Sequence, residues 1–174
     1  MNRALYLIPL ALFLFFAGLA GYTLTQDKIN TVPSQMINRP LPEFTLAPAI
    51  EEMPGLSRAD LTGKPRLLNI FASWCLPCIA EAPQLERLQE QGVEIVGVAV
   101  RDRPQAVQDF LNRNGNPYTR IGADDISELM LEIGASGVPE TYVIDGDGNI
   151  RYQHIGDIRE SDVPMLLEKL EEVR

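Results

Sequence analysis

The chain reads as an α/β protein with a mixed sheet and helices on both faces. Three patterns lead there. Val93–Val100 is a continuous apolar run, the mark of a strand buried on both sides. Stretches with apolar residues at helical spacing separate such runs, as crossover connections between parallel strands require. Near the end, Glu140–Ile144 and Ile150–Ile155 flank Asp145-Gly146-Asp147-Gly148-Asn149, a hairpin signal. The element order is β-α-β-α-(β)-α-β-β-α, crossovers first and an antiparallel hairpin last.

From Ala4 to Gln26 there is no charged side chain. A run of this kind is about long enough to cross a bilayer as a helix, which takes roughly 20 residues. Arg3 precedes it and Asp27 is the first charge after it, so the positive-inside rule puts the N-terminus in the cytoplasm and the remainder across the membrane. The competing reading is a cleaved secretory signal, with small residues at Gly18-Leu19-Ala20; the length of the run favours an uncleaved anchor. Either reading exports the rest of the chain. The expected organisation is an anchor over 1–25, a linker over 26–40 marked by Pro33 and Pro40, and one domain over 41–174.

Within that domain, Phe44–Leu46 is a short strand, and Gly55–Lys64 is a loop turned by Asp60 and Gly63. Arg66–Ala72 is the first long strand. A helix comes next and runs to about Gln91, with Ala82, Leu85 and Leu88 on one face, Pro83 inside it and Gly92 as its stop. Pro104 opens the next helix, with Val107, Phe110 and Leu111 inward and Asn114-Gly115 ending it. Ile126, Leu129, Met130 and Ile133 repeat at helical spacing before Gly134. A last helix carries the stripe Val163, Leu166, Leu167, Leu170, Val173, started by Ser161 and Pro164. Apolar residues make up 45% of the 174, enough for a core that needs no disulfide staple. A net charge of −9 argues against a nucleic-acid partner, whose phosphates call for clustered Lys and Arg.

The chemistry concentrates in Trp74-Cys75-Leu76-Pro77-Cys78, at the junction of the first long strand and its helix. A Cys-x-x-Cys pair at such a junction is a redox motif. The helix N-terminus favours a thiolate, so Cys75, exposed at the helix start, is the expected nucleophile and Cys78 the buried resolving thiol. A purely structural disulfide would gain little by closing so short a loop. Two Cys and one His cannot supply a usual structural zinc site, and no metal or cofactor is expected. Trp74 either covers the dithiol, where a substrate peptide packs, or is a large core residue. Glu81 stands one turn beyond Cys78. If buried beneath the dithiol it would exchange a proton with Cys78; otherwise it is an exposed helix glutamate. His154 is read as a strand residue, and the Asp145–Asn149 run as a turn rather than a calcium loop.

This order, with Trp-Cys-x-x-Cys after the first long strand, resembles the thioredoxin fold, so the fold expected is a thioredoxin-like α/β domain behind one N-terminal transmembrane helix. Pro83 matches the helix kink of that fold, and Val138-Pro139 its cis-proline facing the dithiol. The closer resemblance is to the membrane-anchored DsbE (CcmG) proteins of cytochrome c maturation. It rests on Leu68–Glu81, on Gly137-Val138-Pro139-Glu140-Thr141-Tyr142-Val143-Ile144-Asp145 and on Ile150–Gly156. The resemblance implies a substrate surface of Trp74, Pro77, Val138, Pro139 and Glu140, with Glu140 as a second acidic group beside the dithiol. Two carboxylates there would oppose thiolate formation and suit a reductant. It further implies a single-pass protein of the bacterial inner membrane with its C-terminal domain in the periplasm. The implied task is to reduce the haem-attachment cysteines of apocytochrome c, with electrons from a membrane thiol reductase of the DsbD or CcdA kind. A TlpA-like reductase with another client is the rival of the same class. A peptide-binding thioredoxin-like module without redox turnover is the rival of another class, and the intact cysteine pair speaks against it. A peroxiredoxin would need Thr or Ser where Ala72 stands.

Overall fold

Ala4–Leu24 forms a 21-residue helix (α1) with Pro9 inside it. The computed structural model describes residues 4–24 and 35–174, and within α1 the side chains of Ile8–Tyr22. Among the described residues no helix is long and apolar enough to cross a membrane. Residues 1–3 and 25–34, which hold Arg3, Asp27 and most of the expected linker, lie outside the described residues. The chain divides between Thr31 and Val32 into two units.

The second unit begins earlier than the proline spacing suggests. Residues 35–41 are fastened to the β-hairpin: Asn38 N donates to Ile150 O (2.7 Å), Ile150 N to Arg39 O (2.9 Å) and Leu41 N to Gly148 O (2.9 Å). Leu41 is buried, and Met36 and Ile37 pack against the same cluster. Thr45–Leu46 (β1) pairs antiparallel with Leu56–Ser57 (β2). The Gly55–Lys64 loop expectation therefore needs correction, since it holds β2 and a 3-10 helix over Arg58–Leu61. Leu56 and Leu61 are almost fully buried there, and Ser57 donates from N and Oγ to Asp60 Oδ2 (2.9 and 2.6 Å). Two apolar anchors and the Asp60 carboxylate, which accepts twice from Ser57, order what turn-forming residues alone would leave loose.

The main sheet has five strands: Arg66–Phe71 (β3), Ile95–Val100 (β4), Arg120–Asp124 (β5), Glu140–Ile144 (β6) and Ile150–Ile155 (β7), in the order β5-β4-β3-β6-β7. β3, β4 and β5 run parallel, while β6 and β7 are antiparallel to their neighbours. Leu76–Glu90 (α2), Pro104–Asn114 (α3), Glu128–Glu132 (α4) and Val163–Glu171 (α5) complete the unit. Strand alternation sorts the core into two clusters. On one face Leu67, Phe71, Ile95, Ile121 and Val143 meet Leu85 and Leu88 of α2, Phe110 of α3 and Leu166 and Leu170 of α5. On the other, Leu68, Ile70, Val96, Val98, Tyr142 and Ile144 meet Leu129 and Ile133. Helices thus cover both faces, as expected. Ile126 does not share the inner face of α4: it is 70% exposed, because the helix starts only at Glu128, after a left-handed Ser127 (φ 62°).

Gly97 occupies a tight place in β4. A Cβ there would come within 2.9 Å of Phe71 and 3.1 Å of Tyr118, whose rings stack at 4.9 Å beneath it. That stack walls the region between β3 and the loop before β5, where the site's buried polar groups lie.

Candidate active site

β3 is buried along its whole length and delivers the chain to the end of the sheet where α2 begins. Asp102, from the β4–α3 loop, holds the turn between them: Ser73 N and Oγ donate to its two carboxylate oxygens at 2.5 and 2.8 Å. Trp74 Nε1 reaches Arg101 O at 3.4 Å. Cys75 then caps α2, with its Sγ accepting from Cys78 N at 3.2 Å, and Pro77 sits in the first turn, where its missing N–H costs nothing. Cys75 and Cys78 form a disulfide.

The cysteines keep the expected ranking, though not the expected exposure. Cys75 is only 5% exposed and Cys78 1%, so Cys75 lies in the rim of the apolar cluster rather than standing free. The exposed surface beside the pair is formed by its neighbours Trp74, Leu76, Pro77 and Ile79. Trp74 is 61% exposed, which rules out its reading as a core residue. The Val138–Pro139 peptide is cis; Pro139 is buried, and Val138 is half-buried and packs against both clusters.

Glu81 is fully buried, so the exposed-glutamate reading fails. Asn69 Nδ2 donates to one carboxyl oxygen (2.9 Å) and Ile158 N to the other (3.1 Å). Burial raises its pKa from 4.5 to about 7, with a smaller push from Asp157, against the lowering pull of those two hydrogen bonds. At neutral pH the group stands near half-protonation, on the helix and the turn that carry Cys78.

Glu140 requires a correction. It is buried at the same end of the sheet, but strand alternation places it with Tyr142 and Ile144, on the face opposite Asn69 and Thr141. Its Oε1 accepts from Ser136 N and Oγ (2.8 and 2.6 Å) and Gly137 N (3.2 Å); Oε2 accepts from Tyr142 OH (2.8 Å) and Gln153 Nε2 (2.7 Å). With five donors it braces the loop that leads into Pro139, and only Glu81 shares the face of the dithiol. His154 lies on β7, half-buried, with Nε2 3.3 Å from Asp157 O, as a strand residue should. Among the described residues no group of three or more His, Cys, Asp or Glu could hold a metal ion.

Three participants escape sequence reasoning. Asp102 and Tyr118 carry no motif. Asn69 did leave a signal: a polar side chain inside an otherwise apolar central strand must find partners when buried. It has three, Glu81, Thr141 Oγ1 (3.0 Å) and the Tyr118 hydroxyl, which donates to its Oδ1 at 2.7 Å.

A thiol pair at a helix N-terminus, an amide aimed at the first sulfur and a buried titratable carboxyl one helical turn beyond the second are the parts of a disulfide-exchange centre. Comparison with known proteins agrees. The Redoxin family model matches residues 36–170. Thiol:disulfide interchange protein HelX of Rhodobacter capsulatus is 37% identical, over 98% of this chain and 97% of its own. DsbE of Pseudomonas aeruginosa is 38% identical over 99% and 98%, and DsbE of Escherichia coli K12 37% over 97% and 96%. Among solved structures, a thioredoxin-family thiol:disulfide interchange protein from Chlorobium tepidum superposes with a TM-score of 0.62 at 25% identity, covering 80% of this chain and 99% of its own. A DsbF homologue from Corynebacterium diphtheriae gives 0.64 at 27%, covering 76% and 87%. A thioredoxin-like domain carrying this cysteine pair, with near full-length relatives that are all thiol:disulfide interchange proteins, makes the chain a thiol-disulfide oxidoreductase, and it belongs to the DsbE family of thiol:disulfide interchange proteins.

Proposed function

We propose that the protein is a membrane-tethered, extracytoplasmic reductant that returns the haem-attachment cysteines of apocytochrome c to thiols. The Cys75 thiolate attacks one sulfur of the client disulfide, forming a mixed disulfide and releasing one client thiolate. Cys78 gives its proton to Glu81 and attacks Cys75 Sγ. The second client thiolate leaves, and the Cys75–Cys78 disulfide retains the two-electron oxidation. A membrane dithiol donor of the DsbD or CcdA kind then reverses these steps to restore the thiols. The observation that carries the reading is Glu81, buried on the Cys78 turn with a pKa of about 7, so that it accepts a proton at the working pH. A buried carboxyl near the thiols also disfavours a strongly stabilised thiolate, which suits a reductant.

The test uses the reduced full chain and a peptide bearing Cys-x-x-Cys-His as its disulfide. Two thiols should be released per protein. Cys78→Ser should accumulate a mixed disulfide through Cys75, whereas Cys75→Ser should form none. Reduction no faster than by a free dithiol would sink the proposal, and equal rates on insulin would remove the preference for this client. The tether is supported by the uncharged run from Ala4 to Gln26. The chain should sediment with membranes through a high-salt wash, with protease reaching the C-terminal domain from the exported side. A soluble mature form beginning near Gly21 would make the segment a cleaved signal.

A further inference from the structure

Behind Glu81 lies a run of buried polar groups that the exchange steps do not use. Tyr118, from the loop before β5, donates its hydroxyl proton to Asn69 Oδ1 at 2.7 Å. Asn69, on β3, spends both amide protons, on Glu81 Oε1 at 2.9 Å and Thr141 Oγ1 at 3.0 Å. We propose that Tyr118 and Asn69 are positioning residues that set when Glu81 holds its proton: the Tyr118 hydroxyl keeps the Asn69 amide turned with its nitrogen towards the Glu81 carboxylate. The proposal rests on the reading that Glu81 serves the dithiol.

The side-chain chemistry allows two arrangements of this network. In the first, the tyrosine donates to the amide oxygen and the amide nitrogen donates to a carboxylate. In the second, the amide is turned over: its nitrogen donates to the tyrosine oxygen, and its oxygen accepts from the threonine and from a protonated Glu81. The second arrangement leaves the tyrosine proton without an acceptor in a buried site, which is costly. Tyr118 stays a donor throughout, because burial first and Glu81 second push its pKa well above the ordinary phenol value. The phenol therefore biases the amide towards the arrangement that favours ionised Glu81. The other groups around Glu81 act independently. Ile158 N donates to Oε2 from the loop after β7, and Asp157 beside it favours the protonated form. Cys78 lies on Glu81's own helix. His154 is the register partner of Thr141 on β7 and lies 3.9 Å from Asp162.

The test reads Glu81 directly, by carbon NMR of the full chain labelled at glutamate carboxyls, in the disulfide form where neither cysteine titrates. Tyr118→Phe keeps the ring against Phe71 and removes only the bias. The Glu81 midpoint should rise by roughly one pH unit, the size of one hydrogen bond to a charged group. Asn69→Ala removes the donor itself and should raise the midpoint at least as far. In the wild type, the Asn69 side-chain amide protons should titrate with the Glu81 midpoint. An unchanged midpoint in either folded variant, or Asn69 protons indifferent to Glu81, overturns the proposal, and the last readout needs no substitution. If the midpoint moves in Tyr118→Phe while the pH–rate profile of thiol exchange does not move with it, the role of Glu81 in exchange falls and the positioning stands.

Discussion

At the scale of single residues, Glu81 sets two opposed demands on one carboxyl. Burial favours its protonated form, while Asn69 and the Ile158 amide favour the ionised form. A carboxyl whose folded pKa is raised contributes most to stability below its unfolded value, and that contribution is lost as pH rises through the folded value. Here the window runs from 4.5 to about 7 and the loss amounts to about 3 kcal/mol. Glu81→Gln should therefore flatten the fall of stability between those pH values, measured as denaturation midpoints across the range. The slope is the diagnostic, since the new amide nitrogen must face Asn69 Nδ2 or Ile158 N, and that clash offsets any gain in level. The same variant should slow the step in which Cys78 loses its proton by about 10²-fold and remove the inflection near pH 7 from the rate profile. Coincident pH–rate curves for wild type and Glu81→Gln would remove Glu81 from the chemistry.

At the scale of elements, what the sequence predicts well is whatever one periodicity decides. β4, α3, the β6–β7 hairpin and α5 stand where alternation, helical spacing and turn residues put them. The misplacements occur where tertiary contacts decide. Ile126 continues the helical spacing of Leu129 and Ile133, yet the left-handed Ser127 separates it from the helix. Glu140 neighbours Pro139 in sequence, yet strand alternation sends its carboxylate to the far face, where Ser136, Gly137, Tyr142 and Gln153 absorb it. Cys75 and Cys78 were legible because a spacing of three at a helix start is itself the chemistry, whereas Asn69 and Tyr118 meet across 49 residues. Their meeting depends on Gly97, which gives room for the Phe71–Tyr118 stack. Gly97→Ala should push Phe71 and Tyr118 apart and destabilise by about 1–3 kcal/mol in urea unfolding, the usual cost of overpacking. An unchanged unfolding midpoint would mean the stack yields freely and Gly97 has no steric role.

At the scale of the whole domain, the exchange centre and the entry of the chain occupy opposite ends of the sheet. The dithiol comes just after Phe71 at the C-terminal end of β3. Residues 38–41 bind the hairpin next to Ile144, the register partner of Arg66 at the other end of that strand. The clip should thus serve stability without serving exchange. It ties three backbone hydrogen bonds to the hairpin and buries Leu41, which is 2% exposed. Loss of one such buried leucine side chain alone costs about 2–5 kcal/mol. A soluble chain beginning at residue 35 should keep full stability, whereas one beginning at residue 43 should lose at least about 2 kcal/mol. At a temperature where both remain folded, the two should reduce a disulfide peptide at matching rates, because the hydrogen bonds of the clip go to the hairpin and those of the exchange centre to Glu81 and the Asp102 brace. Equal melting temperatures would show that residues 35–42 are linker after all. Slower exchange by the shorter chain, with its fold intact, would show that the two ends of the sheet are coupled.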